Sequence, residues 1–415
     1  MARPFIFGFI FVIASISSSV ARAQAAPPSE DAVARIEAEG VSLRLRPVLQ
    51  LDGRFFVAGG TNTFLARRVR PAIEGTFSDR FDVRFTPEFG QSWADGKAAA
   101  APSVVDAYAN FRIVRAVQLR FGKFKAPVGL ERNQADQDLH FVERGLATNL
   151  VPDRDVGVQV WGEILDGTIV YAGGVFDGSF DGKQTDGDAN DEKDLEGRLL
   201  VRPFAVTSIA ALEELTLGIA ATTGRHDGAA PGYVSAGQIT FFSWDADVVA
   251  GGPERRVVPQ ASWYVGPIGV WGEYAWVHEA MVRNPTGGGS FSTGANLQGF
   301  TAAVVAVVTG ERATYGTLRP QHVFDPERGG FGAIELDARV SGLHVDDVVY
   351  SHASGVADNG KSARNALEWA VGAQWHFAPG IKFVVDYFQT TFEQGAVAAN
   401  RPTEKVLIGR FQIAY

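Results

Sequence analysis

The sequence predicts an all-β chain, a transmembrane antiparallel β-barrel of sixteen strands. Three observations carry this. Apolar and polar residues alternate with a period of two over runs of up to 14 residues. Ordinary strands average ~5–6 residues, and a tilted strand needs ~9–11 to cross a bilayer. The chain opens with an export leader. The alternating runs are even in number, and tight turns and long loops join them in alternation, as in bacterial outer-membrane barrels.

The leader comes first. Arg3 precedes the apolar run FIFGFIFVIASI at 5–16, and Ala21-Arg22-Ala23 has the small-x-small form of a cleavage site. Residues 1–23 therefore read as a signal peptide, 24–40 as a periplasmic lead-in and 41–415 as the barrel domain. Within the lead-in, EDAVARIEAE at 30–39 has the composition of a short helix or a flexible segment.

The strands follow. In 41–52 Val41, Leu43, Leu45, Leu49 and Leu51 alternate with Ser42, Arg44, Arg46, Gln50 and Asp52. In 81–89 Phe81, Val83, Phe85 and Phe89 alternate with Asp82, Arg84, Thr86 and Glu88. The pattern recurs at 64–77, 104–113, 117–122, 155–164, 168–176, 194–203, 214–223, 255–265, 268–278, 297–310, 331–342, 367–377, 380–392 and 405–415. Successive side chains of a strand point to opposite faces, so each run has one apolar and one polar face. Alternation alone does not say which face is inside. The leader, the strand length and the closing aromatic Tyr415 favour an apolar face toward lipid and a polar face toward a water-filled lumen.

The connections divide by length. Tight turns are expected at Ser78-Asp79-Arg80, Val114-Arg115-Ala116, Leu165-Asp166-Gly167, Gly266-Pro267 and Ala378-Pro379-Gly380. Longer ones alternate with these. Two connections on the short side are long, 204–213 and 311–330, and the apolar stretch 238–244 has to lie within a long loop.

Composition removes other classes. The chain has no cysteine, so neither a disulfide scaffold nor a cysteine-ligated metal fold is available. Loss of the leader removes Arg3 and Arg22 and leaves 36 cations against 47 anions, a net charge of −11, which argues against nucleic acid as a partner. The seven histidines show no metal spacing and no G-x-S-x-G element occurs. No catalytic residues, metal or cofactor are expected.

The polar faces carry the candidate site. On the alternation, Arg44, Arg46, Arg68, Arg70, Arg84, Arg112 and Arg120 face the lumen on the first five strands, with Arg198, Arg202, Arg339 and Arg410 further on. Fixed cations in a confined lumen raise the local anion concentration, and arginine offers phosphate a bidentate fork. The same faces hold Glu74, Asp82, Glu88 and Asp106, so cross-strand ion pairing is the competing account.

Five segments in order resemble the phosphate-selective porin O and P family: ARRVRPAIEG at 66–75, FGKFKAPVGLE at 121–131, VVTGE at 307–311, GAIELDARVSGL at 332–343 and WAVGAQWHFAPGIKFVVDYF at 369–388. The resemblance implies a sixteen-stranded outer-membrane barrel, usually a homotrimer, whose third loop folds into the lumen. It adds Lys123, Lys125 and Arg132, at the start of that loop, as anion-binding or pore-lining residues. It implies a diffusion channel for small anions, with phosphate and pyrophosphate among them, in contact with outer-membrane lipid and lipopolysaccharide. Two features depart from the family pattern: residues 123–155 hold five cations against six acids, and the chain has only eight lysines. Two other readings stay open, a barrel enzyme of the lipase or protease type and an exported soluble β protein binding polysaccharide.

Two features are read as bystanders. Asp186, Asp188 and Asn190 have the spacing that opens a calcium loop, but Asp191 and Gly197 stand where its glycine and glutamate belong, so 177–194 reads as a solvated loop. Trp263, Tyr264, Trp271, Tyr274, Trp276, Trp369 and Trp375 read as an interfacial girdle.

Overall fold

The computed structural model describes residues 34–187, 190–284, 290–351, 355–358, 360–396 and 399–415. The signal-peptide segment lies outside these residues, as does Asp188 of the calcium-like spacing. Sixteen strands form the barrel: β1 (Val41–Ala58), β2 (Thr63–Phe77), β3 (Phe81–Glu88), β4 (Ser103–Val114), β5 (Val117–Lys125), β6 (Arg154–Ile164), β7 (Ile169–Phe176) and β8 (Asp194–Val201). The second half is β9 (Thr216–Gly228), β10 (Val248–Val265), β11 (Ile268–Arg283), β12 (Phe291–Val307), β13 (Ala333–Val345), β14 (Ala363–Ala378), β15 (Ile381–Ala396) and β16 (Glu404–Ala414). Each pairs antiparallel with the next. β16 closes on β1, from Val48 opposite Ala414 to Ala58 opposite Lys405. Closure leaves no open strand edge around the barrel, the condition for a β structure that crosses a bilayer.

The faces are inverted relative to a soluble barrel. Leu51, Phe55, Phe85, Phe121, Leu336 and Phe383 point outward and are exposed. Gln50, Asp52, Arg54, Glu335, Asp337 and Arg410 point inward and are buried. An apolar exterior with polar groups lining the interior is the arrangement of a barrel that crosses a bilayer.

All sixteen expected strands are present, and several run further toward the long loops. β1 continues to Ala58, so its loop is 59–62 rather than eleven residues. β10 begins at Val248, with a register shift between Ala250 and Glu254 that absorbs Gly251-Gly252-Pro253. Such irregularities hide strand extensions from a period-two reading. The tight turns stand where expected. In the three-residue turn 78–80, Ser78 and Asp79 take positive φ (48° and 54°), and the Arg80 N–H closes on the Phe77 carbonyl at 3.1 Å.

The end of the lead-in is neither the flexible segment nor the short helix that its composition suggested. Ala34–Ala38 is a strand paired with Val41–Leu45 of β1, beyond the point where β16 ends. It continues the ladder along β1, which outweighs the helix propensity of five residues. The aromatic girdle also needs correction. Trp271 shares the inward parity of Glu273, and Tyr264 that of Ser262; both are buried. Trp369 is exposed on the outer face.

Candidate pore and its charged waist

The segment between β5 and β6 crosses the interior. Gly129 (φ 78°) lets the chain bend sharply away from β5. A single helical turn follows at Leu130–Asn133, and Leu130 and Glu131 N–H donate to the Glu273 carboxylate of β11 at 2.6 and 3.2 Å. Asn133 Nδ2 donates to the carbonyls of Val128 and Gly129 at 2.8 and 2.9 Å and closes the bend. Further along, Val142 N–H donates to Asp386 of β15 (2.6 Å), Arg410 of β16 to the Val142 carbonyl (2.9 Å) and Arg339 of β13 to the Glu143 carbonyl (2.8 Å). Leu146 and Leu150 are buried in an apolar cluster with Leu297 and Val345. The loop is thus fastened to the inner face of β11–β16.

Two other segments fill the same side. In the β9–β10 loop, Tyr233, Phe241 and Phe242 are buried, and Ala236 N–H reaches Glu368 at 3.3 Å. This holds most of the apolar stretch 238–244 within a long loop. From the short-turn end, the β12–β13 segment sends the Tyr315 hydroxyl to the Leu130 carbonyl (2.6 Å) and Thr317 to Asp138 (2.6 Å).

Two cavities border the inward loop along β2–β8. A cavity of about 640 Å³ opens toward the long loops, between Arg67, Glu88, Trp93 and Ser235. One of about 330 Å³ opens toward the short turns, between Arg84, Tyr108, Arg120, Trp161 and Arg198. Both are lined by Arg70, Asp136 and Arg154. These three residues mark a waist where the two cavities meet.

Asp136 belongs to the inward loop and lies amid four guanidiniums. Arg144 is 2.7 Å away, Arg68 3.4 Å and Arg154 3.8 Å, and Arg70 is in direct contact. Burial alone would push its pKa up, but Arg68, Arg144 and Arg70 hold the carboxyl well below the usual range. Glu143 collects a second set: Arg54 in direct contact, Arg67 at 3.4 Å and Arg410 at 3.9 Å. Burial opposes its ionisation too, and Arg67 and Arg54 more than compensate.

The expected site residues divide into groups. Arg46 lies 3.2 Å from Glu74, and Arg44 is paired in register opposite Glu74. Arg84 bonds Glu74 (2.7 Å) and lies 3.5 Å from Asp106; Arg112 bonds Asp82 (2.9 Å). These are cross-strand pairs on the wall. Arg68 and Arg70 stand at the waist, Arg68 also donating to Gln50 (2.7 Å) and Arg70 to Glu88 (2.6 Å). Lys123 lies elsewhere: it has the parity of outward-facing Phe121 and is covered through an ion pair with Asp186. Lys125 donates to the carbonyls of Arg132 (2.9 Å) and Gln134 (2.6 Å), so it holds the inward loop in shape. Arg132 donates to the Thr148 carbonyl at 2.5 Å and lies 3.9 Å from Asp153.

Arg120 differs from all of these. Its guanidinium lies over the rings of Tyr108 (4.7 Å), Trp161 (4.9 Å) and Phe124 (5.5 Å). It forms no ion pair with a carboxylate among the described residues. Arg198, on the same cavity, bonds Gln260 (2.9 Å) and likewise has no carboxylate partner among them.

Arg54, Arg67, Arg144 and Arg154 also contribute to these charge clusters and were not expected there. Strict alternation puts Arg67 outward. A bulge opposite Gln50 and Leu51 skips Arg67 in the register and turns it inward, reaching Glu143. Alternation does place Arg54 inward, with Asp52, once β1 is known to continue past residue 52.

The family model described as phosphate-selective porin O and P matches residues 49–415. No curated protein sequence matches the chain. Among solved structures, the outer-membrane channel DcaP of Acinetobacter baumannii is similar at a TM-score of 0.58 and 9% identity, covering 91% of this chain and 99% of that one. The trimer form of Vibrio cholerae OmpT is similar at 0.54 and 12%, covering 91% and 100%. The anion-selective porin of Comamonas acidovorans is similar at 0.52 and 12%, covering 90% and 100%.

Proposed function

The chain belongs to the phosphate-selective porin O and P family and is an outer-membrane porin channel; on that premise we propose that it is no enzyme, that it passes small anions in preference to cations and that it binds phosphate only weakly. The observation that carries the anion preference is the pair Arg120 and Arg198. Both border the cavity on the short-turn side, and neither is neutralised by a carboxylate among the described residues. Aromatic faces support the Arg120 guanidinium without cancelling its charge. Its field acts on ions in the passage and is strengthened by the low-dielectric wall.

The waist supports the second half of the proposal. Its guanidiniums already converge on Asp136, so a passing anion has to compete with a tethered carboxylate. Surrendering a partnered carboxylate offsets much of what phosphate would gain there.

Three further statements belong to the same proposal. Residues 1–23 are a signal peptide cleaved after Ala23, 24–40 a periplasmic lead-in and 41–415 the porin domain. The assembly is a homotrimer, supported by the trimeric Vibrio cholerae relative in fold. The outward apolar belt contacts outer-membrane lipid and lipopolysaccharide.

Reversal potentials in a planar bilayer under a potassium chloride gradient test the selectivity. The expected sign is that of chloride permeating faster than potassium. A reversal potential of zero or of the opposite sign would remove the anion preference and leave the porin itself standing.

A further inference from the structure

We propose that the inner face of β8–β11 holds a divalent first-row metal ion, ligated by Asp194, His226 and Glu254. One ligand atom from each of the three lies within 4.8 Å of the others. All three side chains are buried, with residue exposures of 2%, 3% and 1%. They come from three neighbouring strands, which is why no metal spacing shows in the sequence.

The backbone is shaped for this convergence. Glu254 is in register with Gly224 of β9, and Asp194 of β8 reaches over that glycine from the other side. A Cβ at Gly224 would stand 1.5 Å from Asp194 Oδ1, so only glycine lets the carboxylate cross. Asp194 Oδ2 is 3.0 Å from His226 Nε2, and Glu279 of β11 is 3.9 Å from His226 Nδ1. The Phe180 ring packs edge-on against the imidazole at 4.9 Å.

Charge and hydrogen bonding both ask for a cation. Asp181, Asp194, Glu196, Glu254 and Glu279 put five buried carboxylates around one guanidinium, Arg256, and one imidazole, His226. Arg256 is committed to Asp181 and to Glu254 (2.5 Å). Glu196, one row along β8 from Asp194 and 4% exposed, has both carboxylate oxygens without a hydrogen-bond partner. Buried carboxylates in such excess are costly unless a cation or protons compensate them. One imidazole nitrogen with two carboxylates is a mixed donor set, suited to Zn²⁺ or Mn²⁺ better than to all-oxygen Ca²⁺ or Mg²⁺ sites. Such an ion would tie the walls of β8, β9 and β10 together, a structural role separate from conduction.

The test uses the full-length protein folded in detergent, stripped with a chelator, and titrated calorimetrically with ZnCl₂ or MnCl₂ alone. The wild type should take up one ion per chain and show a higher unfolding temperature when loaded. His226→Gln and Asp194→Asn should each weaken the affinity at least tenfold, while conductance in loaded and stripped wild type stays equal. Wild type that takes up neither ion saturably overturns the proposal, whether or not the variants assemble. That outcome would assign His226 as a protonated cation between Asp194 and Glu279. Equal affinity in wild type and both variants would overturn it as well.

Discussion

Arg70 and Asp136 are paired across the waist of the passage, the guanidinium coming from the wall at β2 and the carboxylate from the inward loop. The loop thus carries its own anion into the arginine cluster. Arg68, Arg144 and Arg154 join the same carboxylate, and Glu143 does the equivalent for Arg54, Arg67 and Arg410. A count of arginines therefore overstates the positive charge that a permeating ion meets. Arg120 and Arg198, which form no ion pair with a carboxylate among the described residues, weigh more in selectivity than their number suggests.

Replacing both, Arg120→Gln with Arg198→Gln, should lower the chloride-over-potassium permeability ratio. A unit charge ~6 Å from the ion path contributes about 0.7 kcal/mol in water, so the pair should change the ratio severalfold. The effect should grow as salt falls, because the Debye length lengthens from ~10 Å at 0.1 M to ~30 Å at 0.01 M. Reversal potentials at two ionic strengths measure it. A shift independent of salt would count against a field effect.

The Asp136 carboxyl links the loop to pH. Its folded pKa lies well below that of an unfolded aspartate because Arg68, Arg144 and Arg70 outweigh its burial. A group depressed in this way stabilises the folded state fully above its unfolded pKa, about 3.9, and loses that contribution as pH falls through the folded value. Asp136→Asn leaves several guanidiniums uncompensated and should cost about 3 kcal/mol. Urea unfolding in detergent should show this gap undiminished from pH 7 to pH 5 and narrowing only below about pH 4. A gap that closes between pH 7 and 5 would mean that Asp136 is not held ionised by its arginines.

Removing Tyr415 should sharply lower the amount of assembled barrel in the outer membrane. The Tyr415 N–H donates to the Pro47 carbonyl at 3.1 Å, at the end of the β16–β1 seam. Its ring has the outward parity of Phe411 and lies at the short-turn rim, where aromatic side chains suit the membrane interface. Heat-modifiable migration of outer-membrane extracts reports the assembled fraction. Equal fractions with and without Tyr415 would show that the seam closes without it.

The barrel was legible in the sequence because lipid on one side and a polar lumen on the other impose a strict period of two. Leu51 against Asp52, or Phe411 against Arg410, announces both faces at once. Legibility failed where the period breaks. The bulge at Arg67 turns inward a residue that alternation sends to lipid. Beyond residue 52, β1 continues through Gly53 and Arg54 into Phe55-Phe56, where neighbouring apolar residues blur the pattern. Within the loop, the near balance of charge was visible, but not the position of Asp136 amid Arg68, Arg70, Arg144 and Arg154. Those arginines come from β2, the loop itself and β6, and only the folded crossing brings them together. Lys123 and Lys125 entered the candidate site through the family resemblance. Lys123 is covered through Asp186, whereas Lys125 borders the cavity on the short-turn side while donating to backbone carbonyls of the loop.

Phosphate should block chloride current only weakly in the wild type, with no saturation up to millimolar concentration. Arginine binds phosphate tightly when several forks converge and are unengaged. Here four of them converge on Asp136, and Arg70 is also tied to Glu88. Phosphate arriving at this waist meets a carboxylate that is tethered by the loop and therefore competes at high effective concentration. Asp136→Asn removes the competitor while preserving shape, so the same guanidiniums become a site for a free anion. The variant should show saturable phosphate block at concentrations at least tenfold lower than any block of the wild type. Phosphate should also raise its unfolding midpoint more than that of the wild type, because an anion bound only to the folded state stabilises it. Saturable block of the wild type at micromolar phosphate would show that the tethered carboxylate yields, and would restore a phosphate-specific channel. Equal, weak block in both proteins would place the conducting anion away from Arg68, Arg70 and Arg154, toward the cavity bordered by Arg120, Arg198 and Lys125.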